Sequence, residues 1–407
     1  MDEREYSPEL QRKLAETATR SKSFVSAAEL ARIGSGVAIS SRQLGRVVEA
    51  LGAELVAKRD AEVDAFTHHH RGPEGRDPHH ELAVVFVDGG RVQIRDETWG
   101  VEAEPGEKKG KFWREDKVAR IQTMTAVCHR EDPCPEPPRC FLDAAKLESL
   151  SAPAEPREAP ENKGESAGAL VPPPPAEPAE RWTPEPLVRT CVATMRGVDE
   201  FRWMVQAEAK RRHFFTAEKR AFVADGAAYN WTTLHAKHFA DFVPILDFLH
   251  VAGYRHAAAR ALGSVTLGCP WIRDVWQGRA AAVAEELRRR LCEAAGESDV
   301  PKEHPLRPVR DVAHYLTTHA DKVDDPRYRR EGLPCTSSLI ESQIKEFHAR
   351  VKGTEKFWDE GNAEAMLQWI AWTLRDDGPT LRDHLESRPG HPFRRRTTHA
   401  EPKTTAI

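Results

Sequence analysis

The sequence predicts an α/β protein: a mixed sheet with flanking helices. Two observations carry this. Leu82-Ala-Val-Val-Phe-Val87 and Lys219-Arg-Ala-Phe-Val-Ala224 are strand-length apolar stretches, and each stops at Asp-Gly, at Asp88 and Asp225. Elsewhere apolar residues recur at helical spacing, as Leu44, Val47, Val48 and Leu51 do. With 407 residues the chain is long enough for two or three domains with real cores.

Composition narrows the class. Apolar residues make up 40% and charged residues 30%, a balance ordinary for a soluble protein. There is no apolar run of bilayer length and no N-terminal basic-then-apolar signal, so the expected location is cytoplasmic, without membrane contact. The seven cysteines form no Cys-x-x-Cys pair, which argues against a disulfide framework. Cys128, Cys134 and Cys140 are separated by five residues, a spacing atypical of metal ligands. Net charge is −4, yet its distribution is uneven. Acidic residues crowd 155–180, whereas Arg394-Arg395-Arg396 and the 341–356 stretch are basic. Local patches of this kind, not net charge, steer polyanions.

In chain order, 1–66 reads as helical. One helix starts near Ser26 and a second near Ser40, joined through Gly34-Ser-Gly36. That pair is compatible with a helix-turn-helix presenting Arg42 and Arg46 outward, or with a plain helical hairpin. Residues 64–80 hold His68, His69, His70, His79 and His80 and read as a solvated loop. The region 81–130 opens on Leu82 to Val87. Its Asp88-Gly-Gly suits a hairpin turn, and a third strand over 117–127 completes a meander. From 131 to 181 Pro, Glu and Ala dominate, with Pro172 to Pro175 in a row; an extended, disordered insertion is expected. Within 182–254, helical periodicity returns over 184–215, before the second Asp-Gly strand. Residues 255–331 read as mostly helical, with Glu285 and Arg289 paired across one turn and Gly296 ending that helix. Region 332–378 holds a helix starting near Ser337 or Ser338 and another over Asn362–Arg375. The remainder, 379–407, reads as a basic disordered tail.

The helix after Ser337 carries Glu341 in its first turn. Lys345, His348 and Lys352 follow on one broad face, and Ile344, Phe347 and Val351 line another. Glu341 has a bland explanation, the capping box Ser338-x-x-Glu341. It also has a sharper one. Asp88, Asp225 and Glu341 all stand at ends of core elements, and if the two strands are neighbours their carboxylates converge. Three oxygen donors without a thiolate suit Mg²⁺ or Mn²⁺ better than zinc. A pair of such ions roughly 4 Å apart activates water or a 3′-hydroxyl and stabilises the leaving oxygen of a phosphodiester.

Four stretches carry a resemblance: Val-Phe-Val-Asp88-Gly-Gly; Phe-Val-Ala-Asp225-Gly-Ala-x-x-x-Trp231; Ile-Leu-Asp247-Phe-x-His250; and Ser-Ser-Leu-Ile-Glu341-Ser-x-x-Lys345-x-x-x-x-Arg350-Val-Lys352-Gly-Thr-Glu-Lys356-Phe-Trp358. Together they resemble DDE-type bacterial insertion-sequence transposases, specifically the Kra-type family, over about residues 25–375. The resemblance implies an RNase H-like catalytic domain with a helical insertion between the second Asp and the Glu. It implies that Asp88, Asp225 and Glu341 are catalytic and bind metal, and that Asp247 and His250 are auxiliary residues near the active site or the DNA. It also implies DNA partners (terminal repeats and target), a homodimer or higher oligomer that brings two ends together, and residence with the nucleoid. Lys345, Arg350, Lys352 and Lys356 are then expected to contact phosphates, beside Arg42 and Arg46. Trp271 and Trp276, in the helical insertion, are either core or a platform for an extruded base. Two other readings stay open: an RNase H-like nuclease that cuts without joining, and a non-catalytic DNA-binding protein.

Overall fold

The computed structural model describes residues 6–69, 79–95, 112–143, 147, 182–296, 299–353, 356–378 and 381–388. Its centre is a five-stranded mixed sheet of order β3-β2-β1-β4-β5. The strands are β1 (Leu82–Gln93), β2 (Trp113–Met124), β3 (Pro186–Thr194), β4 (Lys219–Ala224) and β5 (Val243–Leu246). β1 pairs antiparallel with β2, and β2 with β3, while β4 and β5 run parallel to β1. Residues 82–87 of β1 are buried on both faces, which is why that stretch is apolar at every position.

Helices cover the sheet. Three precede it: α1 (Pro8–Arg20), α2 (Phe24–Ser35) and α3 (Ser41–His69). The short α4 (Arg139–Leu142) follows β2, and α5 (Val198–Arg211) follows β3. After β5 come α6 (Phe248–Ala261), α7 (Gly268–Trp276), α8 (Ala280–Ala295), α9 (Arg307–Thr318) and α10 (Asp325–Glu331). The chain then returns to the sheet through α11 (Ser338–Val351) and α12 (Glu360–Thr373), and α13 (Leu381–Glu386) ends the described part. No described helix is long and apolar enough to cross a membrane.

Several sequence expectations need correction. Asp88-Gly89-Gly90 is not a hairpin turn, because β1 runs straight through it with Asp88 opposite Val118 and Gly89 opposite Lys117. Small residues are needed there for space: a Cβ on Gly90 would meet the His348 ring at 2.0 Å, and one on Gly89 the Asp116 carbonyl at 2.5 Å. Residues 186–194 form the edge strand β3, not helix, and the helix of that region starts only at Val198. α3 does not stop at residue 66 but reaches His69, so His68 and His69 belong to a helix end and not to a loop.

Residues 131–143 are ordered, contrary to expectation. Asp132 accepts both Arg329 Nε (2.7 Å) and Nη2 (2.5 Å), Trp276 Nε1 donates to the Cys134 carbonyl (2.7 Å), and Phe141 packs at a tilt against Phe248 and Trp276. The Pro-rich run 151–180 and Arg394-Arg395-Arg396 lie outside the described residues. The beginning of the expected tail is docked: Leu381 and Leu385 are buried and Arg388 pairs with Glu54 at 2.7 Å. In α8, Arg289 pairs with Glu286 and Glu293 while Arg288 takes Glu285, so the anticipated 285–289 pair is replaced by its neighbours. Gly296 does cap α8 with φ 75°.

α12 ties the N-terminal helices to the sheet. It lies between α3 and β3, so it is buried nearly all round. Trp369 Nε1 donates to the Val48 carbonyl (2.8 Å), and Glu364 receives Arg59 (2.7 Å), Thr194 Oγ1 (2.8 Å) and the Met195 N–H (2.6 Å). Just beyond α12, Asp377 clamps Arg211 of α5 (2.5 Å) and Arg375 (2.8 Å). Burial opposes that carboxylate, but the two guanidiniums overcome it and bring its pKa down to about 2 from 3.8. A lowered folded pKa gives stability that is complete above 3.8 and is lost as pH falls toward 2. Asp377→Asn is therefore expected to flatten the acid limb of a urea-midpoint-versus-pH curve in that window; a limb identical to wild type contradicts the clamp.

Candidate functional site

β1 and β4 are parallel neighbours, with Val87 opposite Ala224, so the next residues, Asp88 and Asp225, emerge at the same edge. β5 ends beside them, and Asp247 follows it directly. α11 crosses this edge and brings Glu341 in its first turn. Carboxyl ends of adjacent parallel strands are where an open α/β sheet gathers side chains.

The capping explanation of Glu341 does not hold. The N-cap of α11 is Ser337, whose side chain makes no capping hydrogen bond. What fixes the start of α11 is Asp247, whose Oδ1 accepts the Ser337 N–H at 2.7 Å. Asp247 is fully buried and also caps α6, through Leu249 N–H (3.2 Å) and His250 N–H (3.3 Å). Its Oδ2 meets His250 Nδ1 at 2.6 Å. Both oxygens are thus committed, and Asp247 holds α6, α11 and His250 together.

The ionisable groups report a crowded acidic site. Burial pushes the Asp88 carboxyl well above its ordinary range, and the charges of Glu341 and Asp225 add to this. Burial also raises Glu341, against the charges of His250 and Lys345, and Asp88 is its hydrogen-bond partner. For His250 burial works against the cation, but the hydrogen bond and charge of Asp247, with Asp88 and Asp225 behind, raise its pKa to about 10. At neutral pH His250 is therefore an imidazolium, the counter-charge built into the site. Asp225 is oriented through Oδ1 by the Ala227 N–H (3.0 Å) and Asn230 Nδ2 (2.8 Å), and its carbonyl accepts Trp231 Nε1 (2.8 Å).

Could this cluster hold a cation? The side chains whose ligand atoms lie mutually within 4.8 Å are Asp247, His250 and Glu341. We discount two of them on chemical grounds: Asp247 spends both oxygens on the protein, and a protonated imidazole offers no lone pair. Of that group Glu341 remains; Asp88 is its hydrogen-bond partner, and Asp225 is near enough for its charge to raise Asp88, so a divalent cation would relieve repulsion among these oxygen donors. Hard oxygen donors are the kind that Mg²⁺ or Mn²⁺ takes.

No protein-family model and no curated protein matches this sequence.

The remaining sequence candidates divide sharply. Arg42, Arg46 and Lys345 are exposed. Arg350 is 3% exposed; its Nε donates to the Ala18 carbonyl (2.9 Å) and its guanidinium lies 4.3 Å from the Phe24 ring, so it joins α11 to α1 and α2 and has no face for a phosphate. Lys356 donates to the carbonyls of Ala349 (3.2 Å) and Arg350 (3.0 Å), closing the end of α11, and burial with the charges of Arg350 and Lys22 lowers its pKa to about 8. Lys352 is half-buried with Nζ 5.7 Å from the Trp113 ring. Trp271 and Trp276 are 4% and 0% exposed, and Arg329 covers Trp276 at 4.0 Å; they are core, not a base platform. The structure gives His348 a role that its place on the helix face did not: its Nε2 sits 3.2 Å from Asp116 Oδ2 and locks α11 to β2, beside Arg120, whose Nη1 donates to the Leu339 carbonyl (3.3 Å).

These placements predict unlike behaviour for two cations of α11. Lys345→Ala is expected to reduce the slope of log binding constant against log salt by about one for a duplex ligand, without loss of stability. Arg350→Ala is expected to cost about 2–3 kcal/mol of stability through lost packing and an unsatisfied carbonyl, with no change in that slope. A salt slope lowered by Arg350→Ala would reverse the assignment.

Proposed function

We propose that the protein is a metal-dependent DNA strand-cleaving and strand-transfer enzyme, a transposase of the DDE type acting at the ends of an insertion sequence. The observation that carries the reading is the convergence of Asp88, Asp225 and Glu341 from two parallel strands and a crossing helix, in a cluster where burial raises Asp88 and Glu341 and the charges of Glu341 and Asp225 raise Asp88 further. Three antiparallel strands followed by two parallel ones, in the order 3-2-1-4-5, is the arrangement of an RNase H-like domain and supports the same reading. The motif resemblance at Asp247-x-x-His250 and from Glu341 to Trp358 agrees with it.

In this mechanism Asp88, Asp225 and Glu341 would hold Mg²⁺ or Mn²⁺, which would supply charge neutralisation at the phosphodiester and a more acidic attacking water or 3′-hydroxyl. The chain's own groups prepare the site. Ala227 N–H and Asn230 fix the Asp225 carboxylate. His250, held by Asp247, places a positive charge among the acids before substrate arrives, and Asp247 sets where α11 begins and so where Glu341 points. Arg42, Arg46 and Lys345 are exposed cations available to the phosphates of a DNA backbone.

Joining separates a transposase from a nuclease that only cuts. The test supplies pre-cut duplexes with free 3′-hydroxyls, carrying the flanks of the coding region, with a plasmid target and Mn²⁺. Covalent joining to the plasmid is the expected result. Hydrolysis of intact flanks with no joining of pre-cut ones would favour the nuclease, and binding with neither activity the non-catalytic reading.

A further inference from the structure

The helical segment between Asp247 and Glu341 contributes one side chain whose position the cluster itself does not account for. Tyr315, on α9, lies against Gly226, the residue after Asp225. A Cβ on Gly226 would meet Tyr315 Cε2 at 2.1 Å and its Oη at 3.0 Å, so the glycine leaves room for that ring and hydroxyl. The Tyr315 Oη is buried and has no hydrogen-bond partner. Leaving a buried hydroxyl unpaired is unfavourable, and phenylalanine would fill the same space without that penalty.

The surroundings hold the ring still. Tyr254 of α6 packs edge-on against it with centroids 5.0 Å apart, and His319 does the same from the other side at 5.0 Å. Tyr254 itself reaches toward His250, at 6.4 Å between rings, and is 41% exposed. His319 continues to Trp231, at 6.1 Å, whose indole N–H is tied to the Asp225 carbonyl. A wall of rings therefore runs from His250 past Asp225 to Trp231, and the buried, unpaired hydroxyl of Tyr315 stands within it beside Asp225. His319 Nδ1, in the same wall, is likewise buried without a partner.

We propose that Tyr315 is a substrate-contacting residue whose hydroxyl donates a hydrogen bond to a non-bridging oxygen of the phosphodiester held at Asp225. The hydroxyl keeps its proton throughout; its role is to meet negative charge that grows on that oxygen as the strand is cut, a preorganised donor that water need not supply. The proposal rests on the phosphodiester reading above, and it assigns to α9, in the helical segment, a direct part in the chemistry.

The test compares wild type, Tyr315→Phe and Asp225→Asn in Mn²⁺-dependent cleavage of duplex DNA carrying the flanks of the coding region, together with the Tm of each protein without DNA. For Tyr315→Phe the expected result is a kcat at least tenfold lower, a KM within twofold of wild type, and a Tm equal to or a few degrees above wild type. That combination separates a substrate donor from a packing residue, since a packing role would not slow the reaction while the fold gains stability. Wild-type kcat in Tyr315→Phe, or a lowered Tm showing that the hydroxyl already has a partner inside the protein, would overturn the inference, while an Asp225→Asn that no longer cleaves keeps the reading of the cluster. Absence of metal-dependent cleavage by the wild type would overturn both.

Discussion

Asp225→Asn is expected to lower DNA cleavage by about a thousandfold while leaving the protein folded. The amide is nearly the shape of the carboxylate, and its oxygen still accepts from the Ala227 N–H and Asn230 Nδ2. What it removes is one negative charge from a site where burial and like charge already raise Asp88 and Glu341. Tm should stay level or rise, because repulsion among the acids falls. Activity and stability thus move apart, which is the signature of a group retained for chemistry at the expense of the resting fold. Cleavage within a few-fold of wild type would remove Asp225 from the site.

The opposite pattern is expected at Asp247. Asp247→Ala takes away the cap of α6, the acceptor for the Ser337 N–H and the partner of a buried imidazolium in one step. Removing one member of a buried, hydrogen-bonded ion pair costs about 3–5 kcal/mol, and here the loss should appear as a lower urea midpoint together with lost cleavage, since the start of α11 is no longer fixed. The pair also has a pH signature. The hydrogen bond and charge of His250 and the Ser337 N–H outweigh burial and lower the Asp247 pKa below 3.8, so its stabilisation is present above that value and lost as pH falls beneath it. The His250 pKa is raised from 6.5 to about 10, so its stabilisation is complete below 6.5 and is lost as pH rises through 10. The ion pair should therefore stabilise most between about pH 4 and 6.5 and fade toward pH 10, and Asp247→Asn should flatten both limbs of the urea-midpoint curve. A variant with unchanged alkaline behaviour would show that His250 is not held as a cation.

Which features could be read from sequence follows from how local their causes are. Asp88 and Asp225 were legible because each directly follows a buried apolar run, although β1 continues past Asp88 to Gln93, and Glu341 because it opens a helix with a clear apolar face. The α/β class follows from the same runs. The edge strand β3 was misread, since Pro186 to Thr194 mixes polar and apolar residues and its pairing with β2 lies 65 residues away in sequence, as at Thr123 and Val188. Arg350 looked like one more cation on a basic helix: periodicity gives its face, but not that α1 and α2 cover that face. Residues 131–143 carry the composition of a linker, and the residues they dock on, Arg329, Trp276 and Phe248 among them, lie far along the chain. Tyr315 had no local signal at all. Its meaning lies in Gly226, and nothing in the sequence joins the two.

The measurement that bears most directly on the whole account is nicking of duplex DNA carrying the flanks of the coding region by the wild-type protein, with Mg²⁺ or Mn²⁺ and again with a chelator. The account predicts strand cuts at the flanks, leaving 3′-hydroxyl ends, that appear with either ion and vanish with the chelator. Tight binding to the same DNA with no cutting under either ion would contradict it.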